Sequence, residues 1–346
     1  MTDQMHHGRT IGVVALLVVV LTGTAGLAGA QSGSATPIDT CRTIADDGKY
    51  VLTSDVRAGN SVCVQILSSD VTFDGQGHTI RGANASGGVG VKVNNSLTSL
   101  SNVTVKNVST TGWETGVYYR DVDNGTLKNV NASANRQQGI LLRAAPNTTV
   151  RNVTAVDNGR WSLYATGHST NVTGTDFETR SATISFVAND VALTGIARPP
   201  GGIPNRTALQ ASLGAAGTGP NASFRLGMNY ANQTVTKNNI TENTIRLWVY
   251  DGNWTQVPGS VVTVDRNRVT ANVSSIPNAS TFVPAGKTPT PTPTPTPTAT
   301  QTQTATPTAS AAATTGRTTS SSDGPGFGIG LALVGLFAAA LIAIRR

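Results

Sequence analysis

The chain has 346 residues and a formal net charge of +7, although only 12% of its residues are charged. This length allows two modest domains with tails. A basic protein often binds nucleic acid, but an exported one should not meet it, so the charge favours anionic glycans, acidic surface proteins or lipid headgroups.

The first 30 residues predict a secretory signal helix. Arg9 precedes the apolar run "IGVVALLVVVL" at 11–21, and small residues follow up to "AGA" at 28–30, so cleavage is expected before Gln31. The apolar run is too short to span a bilayer of about 30 Å. Residues 1–30 are therefore expected to be removed on export.

Two cysteines, Cys41 and Cys63, lie near the start of the mature chain. Export places them in oxidising conditions, where one disulfide closing a loop of about 20 residues would stabilise the fold by roughly 3 kcal/mol. We expect this bond, and the alternative is two buried free thiols.

Internal repeats with a period of about 22 residues occupy the middle of the chain. Each repeat holds two short apolar strands between clusters of Gly, Asn and Asp, and no stretch follows a helical period. The first strand type is "TVKNV" or a variant, beginning at Thr104, Thr126, Thr149 and Asn171. The second type is "GVYY", "GILL" or "WSLY", beginning at Gly116, Gly139 and Trp161, and further turns are expected at Asp70 and Asp190.

Rungs of this length predict a right-handed parallel β-helix over residues 31–197. Each rung lies about 4.8 Å from the next, so stacking aligns equivalent residues in columns. The expected inward aliphatic column is Val105, Leu127, Val150 and Val172. An inaccessible asparagine ladder is expected at the bend, from Asn107, Asn129 and Asn152.

A third column, formed by Lys106, Lys128 and Arg151, should face solvent. One interpretation is an ordinary solvated face. The other is a basic stripe that binds an acidic polysaccharide, which makes these three residues the candidate ligand-binding site.

The segments "CRTIADDGKYVLTSDV" at Cys41 and "CVQILSSDVTFDGQGHTIRG" at Cys63 resemble the start of NosD-like, pectate-lyase-like β-helix proteins of archaeal surfaces. The resemblance covers roughly residues 40–195. It implies that the two cysteines staple the first rung, and that the chain has carbohydrate-binding and sugar-hydrolysing relatives.

The association of NosD-like proteins with copper does not transfer to this chain. Copper prefers His, Cys and Met ligands. After signal removal only His78, His168 and Met228 remain beside the two cysteines. No metal and no cofactor are therefore expected.

A second domain is expected over residues 198–286, because "TIRLWVYDGNWTQV" and "SVVTVDRNRVTANV" both indicate hairpins. This stretch resembles the small immunoglobulin-like β-sandwiches that follow β-helices in archaeal surface proteins. Trp248, Tyr250 and Trp254 are interpreted as core or cross-strand pairs rather than a sugar platform.

Residues 287–322 are rich in Thr and Pro and predict an extended stalk with hydroxyls for O-glycosylation. Residues 323–346 contain Pro325, Gly326 and Phe327, then an apolar run, then two arginines. This arrangement resembles the PGF-CTERM sorting signal of archaeal surface proteins. It implies cleavage by an archaeosortase and attachment of a lipid, and the alternative is a permanent transmembrane helix.

The sequon N-x-[ST] recurs along the mature chain, and an exposed sequon in an exported protein is a glycosylation candidate. The asparagines of the ladder should be poor acceptors of a glycan. The best acceptors are expected at exposed bends, namely Asn84, Asn124, Asn131 and Asn147.

No catalytic residue is assigned from the sequence. Glycoside hydrolysis needs two carboxylates about 5 to 9.5 Å apart, but turn chemistry accounts for Asp121 and Asp123 without catalysis. The remaining candidates for a hydrolase or lyase are Asp157, Asp176, Glu178, Arg143, Arg151 and Arg160.

These features predict a non-enzymatic glycoprotein and lipoprotein of an archaeal cell surface, anchored at its C-terminus in the surface layer. Its expected role is structural, adhesive or glycan-binding. Expected partners are an archaeosortase-type enzyme, membrane lipid, and a surface-layer protein or acidic glycan. The alternative is a surface polysaccharide lyase or glycoside hydrolase.

Overall fold

The computed structural model describes residues 34–59, 61–167, 170–276 and 279–289, which form an all-β body within one compact unit. The predicted signal at 1–30, nearly all of the stalk and the predicted sorting signal at 323–346 lie outside the described residues. Among the described residues, no helix is long and apolar enough to cross a membrane.

Two long sheets, named sheet A and sheet B, alternate along the first part of the chain. The strands of this part are β1 Thr36–Ile38, β2 Arg42–Ile44, β3 Gly48–Leu52, β4 Val56–Arg57, β5 Val62–Ile66, β6 Val71–Asp74, β7 Thr79–Arg81, β8 Val89–Val93, β9 Leu100–Ser101, β10 Thr104–Thr111, β11 Thr115–Arg120, β12 Val122–Asp123, β13 Thr126–Asn131, β14 Gln138–Arg143, β15 Thr148–Thr154, β16 Trp161–Thr166 and β17 Asn171–Glu178.

The stacking of these strands confirms the predicted right-handed parallel β-helix, which has about 6 turns. Sheet A stacks β1, β3, β6, β10, β13, β15 and β17 in parallel. Sheet B stacks β2, β5, β8, β11, β14 and β16 in parallel. Strands β9 and β12 form a small third sheet. Sheet A also contains a side branch, in which β7 pairs with β4 and with the second half of β10.

The predicted aliphatic column is confirmed for three of its four residues. Val105, Leu127 and Val150 are in register and fully buried. Val150, however, pairs with Gly174, and Val172 pairs with Thr148, so the placement of Val172 was wrong by two residues.

The physical reason lies at the bend of β17. Asp176 adopts a left-handed conformation with φ 51°, as Asn152 does with φ 49° one rung earlier, so an aspartate occupies the bend position. The column then ends at Gly174, where a Cβ would collide with the ring of Phe186. This aromatic ring therefore closes the column.

The second strand set also needs a correction of one residue. Trp161 pairs with Gln138, and Leu163 pairs with Ile140, so Ser162 rather than Trp161 corresponds to Gly139. Ser162 stands where Gly139 stands on the rung before, so a motif that begins with Gly misses this correspondence.

The asparagine ladder forms as predicted but lies at the surface. The side-chain amide of Asn152 donates to Asn129 at 2.9 Å, and that of Asn129 donates to Asn107 at 2.8 Å. The amide of Asn107 donates to the carboxylate of Asp74 at 3.0 Å. Asn129 and Asn152 are exposed, so the expected inaccessibility was wrong. The ladder joins the side-chain amides by hydrogen bonds without burying them.

The first two rungs are joined by the predicted disulfide between Cys41 and Cys63. Cys41 directly precedes β2, which pairs with β5, and Cys63 lies on β5. The bond therefore staples the first rung to the second, at the end of the β-helix that no earlier rung covers among the described residues.

The remaining elements are strands with one short α-helix and one 3-10 turn. They are β18 Thr183–Asn189, β19 Val191–Gly195, β20 Thr207–Ala208, β21 Leu213–Gly217, β22 Ser223–Asn229, α1 Asn232–Lys237, β23 Thr241–Tyr250, β24 Trp254–Gln256, β25 Val261–Thr263, the 3-10 turn Val264–Arg266, β26 Arg268–Val273 and β27 Ser280–Lys287.

The chain reverses direction after β17, so the parallel turn expected at Asp190 was wrong. A tight turn, in which the backbone N–H of Thr179 donates to the carbonyl of Ala182 at 2.9 Å, leads into β18. So short a connection can join only antiparallel strands. Accordingly, β18 runs antiparallel to β17, and β19 runs antiparallel to β16.

The strands after the reversal extend both long sheets. Sheet A continues through β18, β22, β26 and β25, and sheet B continues through β19, β21, β27, β23 and β24, all antiparallel. The rings of Phe224 and Phe282, one from each sheet, meet edge to face at 5.3 Å. Strands of residues 198–286 therefore share their sheets with the β-helix, and the two predicted hairpins are confirmed.

Candidate functional site

The predicted cation column on the outer face of sheet A has the expected register. Lys106, Lys128 and Arg151 lie side by side on successive rungs, and Thr175 follows on the next. Lys106 is not free, because its Nζ lies 3.0 Å from Oδ2 of Asp74 on the rung before. Lys128 and Arg151 are exposed and form no ion pair within the described residues.

Asp74 lies at the end of both the cation column and the asparagine ladder. Its partial burial opposes ionisation, but the backbone N–H of Gln76, the amide of Asn107 and the ammonium group of Lys106 outweigh that effect and hold the pKa of Asp74 below its usual value. The carboxylate therefore stays charged, and it removes Lys106 from the set of cations that could bind a ligand.

The outer face of sheet B carries a different pattern. Tyr118, Leu141 and Tyr164 occupy equivalent positions on three successive rungs and are each half-buried, with their side chains on the solvent side. We name these three residues the aromatic stripe. Next to it, Trp161 places its ring centroid 6.3 Å from that of Tyr164.

Cations without acidic partners surround the aromatic stripe. Lys92 precedes Tyr118 in the column, with its Nζ 6.0 Å from the ring centroid of Tyr118, within reach of a cation–π contact. Arg143 and Arg160 line a cleft of about 520 Å³ beside Leu141 and Tyr164. None of the three cations forms an ion pair with a described residue.

This face combines apolar and cationic groups in one groove. An apolar cleft with a few convergent polar groups is the usual form of a small-molecule or polymer site, and an exposed apolar patch with a polar rim marks an interaction surface. Aromatic faces carry negative charge density, so they attract the C–H groups of a sugar ring, while guanidinium groups bind carboxylates.

The sequence interpretation missed the aromatic stripe because it described the runs "GVYY", "GILL" and "WSLY" only as short apolar strands and did not separate their inward from their outward residues. Only alternate residues of these runs face the core: Tyr119, next to Tyr118, is fully buried, and its burial raises the pKa of its hydroxyl. A large apolar residue recurring at the outward position of three consecutive rungs was the available signal.

The candidate catalytic carboxylates are dispersed among separate local interactions. Asp121 pairs with Arg120 at 3.3 Å, and Asp157 pairs with Arg180 at 3.7 Å. Asp123 accepts the amide of Asn147 at 2.9 Å. Glu178 accepts the hydroxyl of Thr154 at 3.0 Å, and Asp176 forms the bend of β17.

The residue types that bind metal ions are also dispersed among the described residues. Within the residues that the structure describes, no group of three or more His, Cys, Asp and Glu side chains could hold a metal ion. His78 pairs with Asp55 at 3.3 Å, Met228 is buried in the core, and His168 lies outside the described residues.

The candidate glycosylation asparagines are all exposed, but their side chains differ. Asn147 belongs to a second ladder, since its amide donates to Asp123 at 2.9 Å and its Oδ1 accepts from Asn171 at 3.1 Å. Asn131 only accepts, from the hydroxyl of Ser133. Asn84 and Asn124 make no side-chain hydrogen bond with a described residue.

Three aromatic residues of β23 and β24, namely Trp248, Tyr250 and Trp254, form cross-strand and packing contacts. Tyr250 and Trp254 are directly opposite each other in a hairpin, with ring centroids 5.3 Å apart. Trp248 packs against Ile203 and Val283, and the guanidinium of Arg206 lies 5.4 Å from its ring centroid. The interpretation as cross-strand or core residues is confirmed.

Comparison with known families agrees with this architecture. Residues 44–191 match the family described as "Right handed beta helix region". Such regions are found in both enzymes and non-enzymes, so the match does not decide catalysis. No curated protein and no solved structure matches the chain significantly.

A second match concerns the C-terminal segment. Residues 324–346 match the PGF-CTERM motif, which is a substrate signal for archaeosortase processing and indicates a C-terminally anchored cell-surface protein. The chain therefore joins a right-handed β-helix to a surface-anchoring motif.

Proposed function

We propose that this protein is a surface-anchored glycan-binding protein whose β-helix holds an acidic polysaccharide on the outer face of sheet B. The observation that carries the proposal is the aromatic stripe, which presents Tyr118 and Tyr164 to solvent beside Arg143 and Arg160, two cations without an ion pair among the described residues. Sugar rings would stack on the aromatic residues, and carboxylates would bind the guanidinium groups.

The rung spacing suits a polymeric ligand. Tyr118 and Tyr164 are two rungs apart, which is about 9.6 Å at 4.8 Å per rung and is of the order of a disaccharide. A polysaccharide lying along the helix axis would therefore meet an aromatic ring at every second sugar. Lys92 extends the cationic rim at one end of the stripe.

We propose a binding role rather than a catalytic one. Four of the candidate carboxylates, Asp121, Asp123, Asp157 and Glu178, are engaged with separate partners. Among the described residues, no carboxylate side chain lines the cleft beside the stripe. The alternative is a polysaccharide lyase or hydrolase. It predicts that the protein shortens the oligosaccharides it binds.

The remaining expectations belong to the same proposal. The protein would be an archaeal glycoprotein of the surface layer, exported by the signal at 1–30 and raised above the membrane by the stalk at 287–322. Cleavage near Pro325, Gly326 and Phe327 would precede lipid attachment. Residues 198–286 would be related to immunoglobulin-like domains, and Lys128 and Arg151 would form a secondary basic surface.

The test is calorimetric titration of the full chain in detergent with oligogalacturonate. Binding should be detected, and it should weaken when Tyr118 and Tyr164 are replaced by Ala. Binding that is unchanged in this variant would contradict the proposal, and release of shortened products would favour the enzyme alternative.

A further inference from the structure

A second cluster of cations lies on the outer face of sheet A beyond the β-helix. Arg225 on β22 and Arg268 at the start of β26 both line a cleft of about 410 Å³. The other polar groups lining this cleft are the hydroxyls of Thr173, Thr175, Ser185 and Thr270. We name it the Arg225–Arg268 cleft.

The position of Arg268 depends on Gly227. A Cβ at Gly227 would collide with Nε, Cζ and Nη2 of Arg268, so the guanidinium lies directly against the backbone of the strand. Its Nε is buried and has no hydrogen-bond partner among the described residues. Because Gly227 has no side chain, the guanidinium of Arg268 can pack against the strand backbone at the floor of the cleft.

Neither arginine has an acidic partner in the part of the chain that the structure describes. No carboxylate side chain lines the cleft, whereas hydroxyl groups line it on several strands. Two unpaired guanidinium groups beside hydroxyl donors form a site for an anion with several oxygens, because guanidinium binds carboxylate and sulfate through paired hydrogen bonds.

We infer that the Arg225–Arg268 cleft is a second binding site, for the carboxylate groups of an acidic polysaccharide. The inference shares its ligand class with the proposed function but rests on different residues in a different sheet. The two sheets face each other across the core, as the contact of Phe224 with Phe282 shows, so their outer faces point in different directions. One molecule could then hold two polysaccharide chains, which is what an adhesive role requires.

The experiment is titration of the full chain in detergent with short oligogalacturonate at low salt. Wild-type protein should bind two oligosaccharides, and the Arg225→Gln/Arg268→Gln variant should bind one, with at least tenfold weaker binding at the lost site. The stripe variant Tyr118→Ala/Tyr164→Ala should also bind one, at the Arg225–Arg268 cleft. Failure of either site is therefore distinguishable from failure of the other.

Two matched pairs separate the cleft from general effects. Arg198→Gln removes an exposed arginine away from the cleft and should leave two sites. Gly227→Ala should weaken the cleft site by displacing Arg268, whereas Gly202→Ala, which meets no atom within 4 Å, should not. Two unchanged sites in a folded Arg225→Gln/Arg268→Gln variant would overturn the inference, and so would binding of inorganic sulfate without any binding of oligogalacturonate.

Discussion

The Nζ of Lys106 lies 3.0 Å from Oδ2 of Asp74 on the preceding rung, and this pair marks where the basic column of sheet A begins. The same carboxylate accepts the amide of Asn107 at 3.0 Å and so ends the asparagine ladder as well. An aspartate suits this position, because a carboxylate accepts hydrogen bonds but donates none. Two columns of the β-helix are therefore anchored on one residue.

Replacing Asp74 with Asn should destabilise the protein by about 1 kcal/mol at neutral pH, since the pair is partly exposed and screened. The pKa of Asp74 is lowered in the folded state, so its contribution is present above the unfolded pKa and is lost as the pH falls through the folded value. Denaturant unfolding of both proteins should show the difference at pH 7 and little difference at strongly acidic pH. A difference that persists undiminished in acid would contradict this account.

The asparagine ladder should contribute measurable stability although it lies at the surface. Asn129→Gly keeps the left-handed bend, which glycine tolerates, but removes the bonds to Asn107 and Asn152. The matched control is Asn124→Gly, at an equally left-handed asparagine outside the ladder. Asn129→Gly should cost about 1–2 kcal/mol more than the control in denaturant unfolding. Equal losses would show that the ladder contributes nothing.

The local part of the fold could be predicted from sequence because each rung repeats the same chemistry. Thr104, Thr126 and Thr149 lie opposite one another on β10, β13 and β15, in the expected register. The predicted register was wrong at β17, because Asp176 occupies the bend position that an asparagine occupies on the earlier rungs. A motif match on "NVT" could not reveal that exchange, since Asn and Asp are both tolerated in the left-handed region.

The candidate site was less predictable, because it depends on contacts between distant residues. The column of Lys106, Lys128 and Arg151 was found, but its neutralisation by Asp74 comes from the preceding rung. The outward direction of Tyr118 follows only once the register of β11 is known, in which Tyr118 lies opposite Leu141. Arg225 and Arg268 come together through the antiparallel pairing of β22 with β26, and the 22-residue repeats do not predict this pairing.

Glycosylation should discriminate between sequons by the state of the side-chain amide. Asn124 is exposed, and its amide donates to no described residue, whereas the amide of Asn147 donates to Asp123. Glycopeptide mass spectrometry of the surface protein should therefore find high occupancy at Asn124 and low occupancy at Asn147. Asp123→Ala should raise occupancy at Asn147, and equal occupancy of the two sites in the wild type would contradict the argument.

The PGF-CTERM match at 324–346 predicts a processed C-terminus. Mass spectrometry of detergent-extracted protein should find a chain that ends near residues 323–326 and carries a lipid mass. Replacing Pro325, Gly326 and Phe327 with Ala should block processing and leave a longer form. Peptides through Arg346 in the wild-type surface protein would show instead that the tail is retained.

Glycan binding at the aromatic stripe is the central claim, and a titration with oligogalacturonate tests it most directly. Tyr118→Ala and Tyr164→Ala should each weaken binding at the stripe about fivefold to tenfold, because an aromatic contact contributes about 1 kcal/mol. Tyr118→Phe should retain most of the affinity, since it keeps the ring. The control Tyr250→Ala removes a half-buried tyrosine of the hairpin after the reversal and should change nothing. Stripe variants with normal melting temperatures and wild-type affinity would contradict the account.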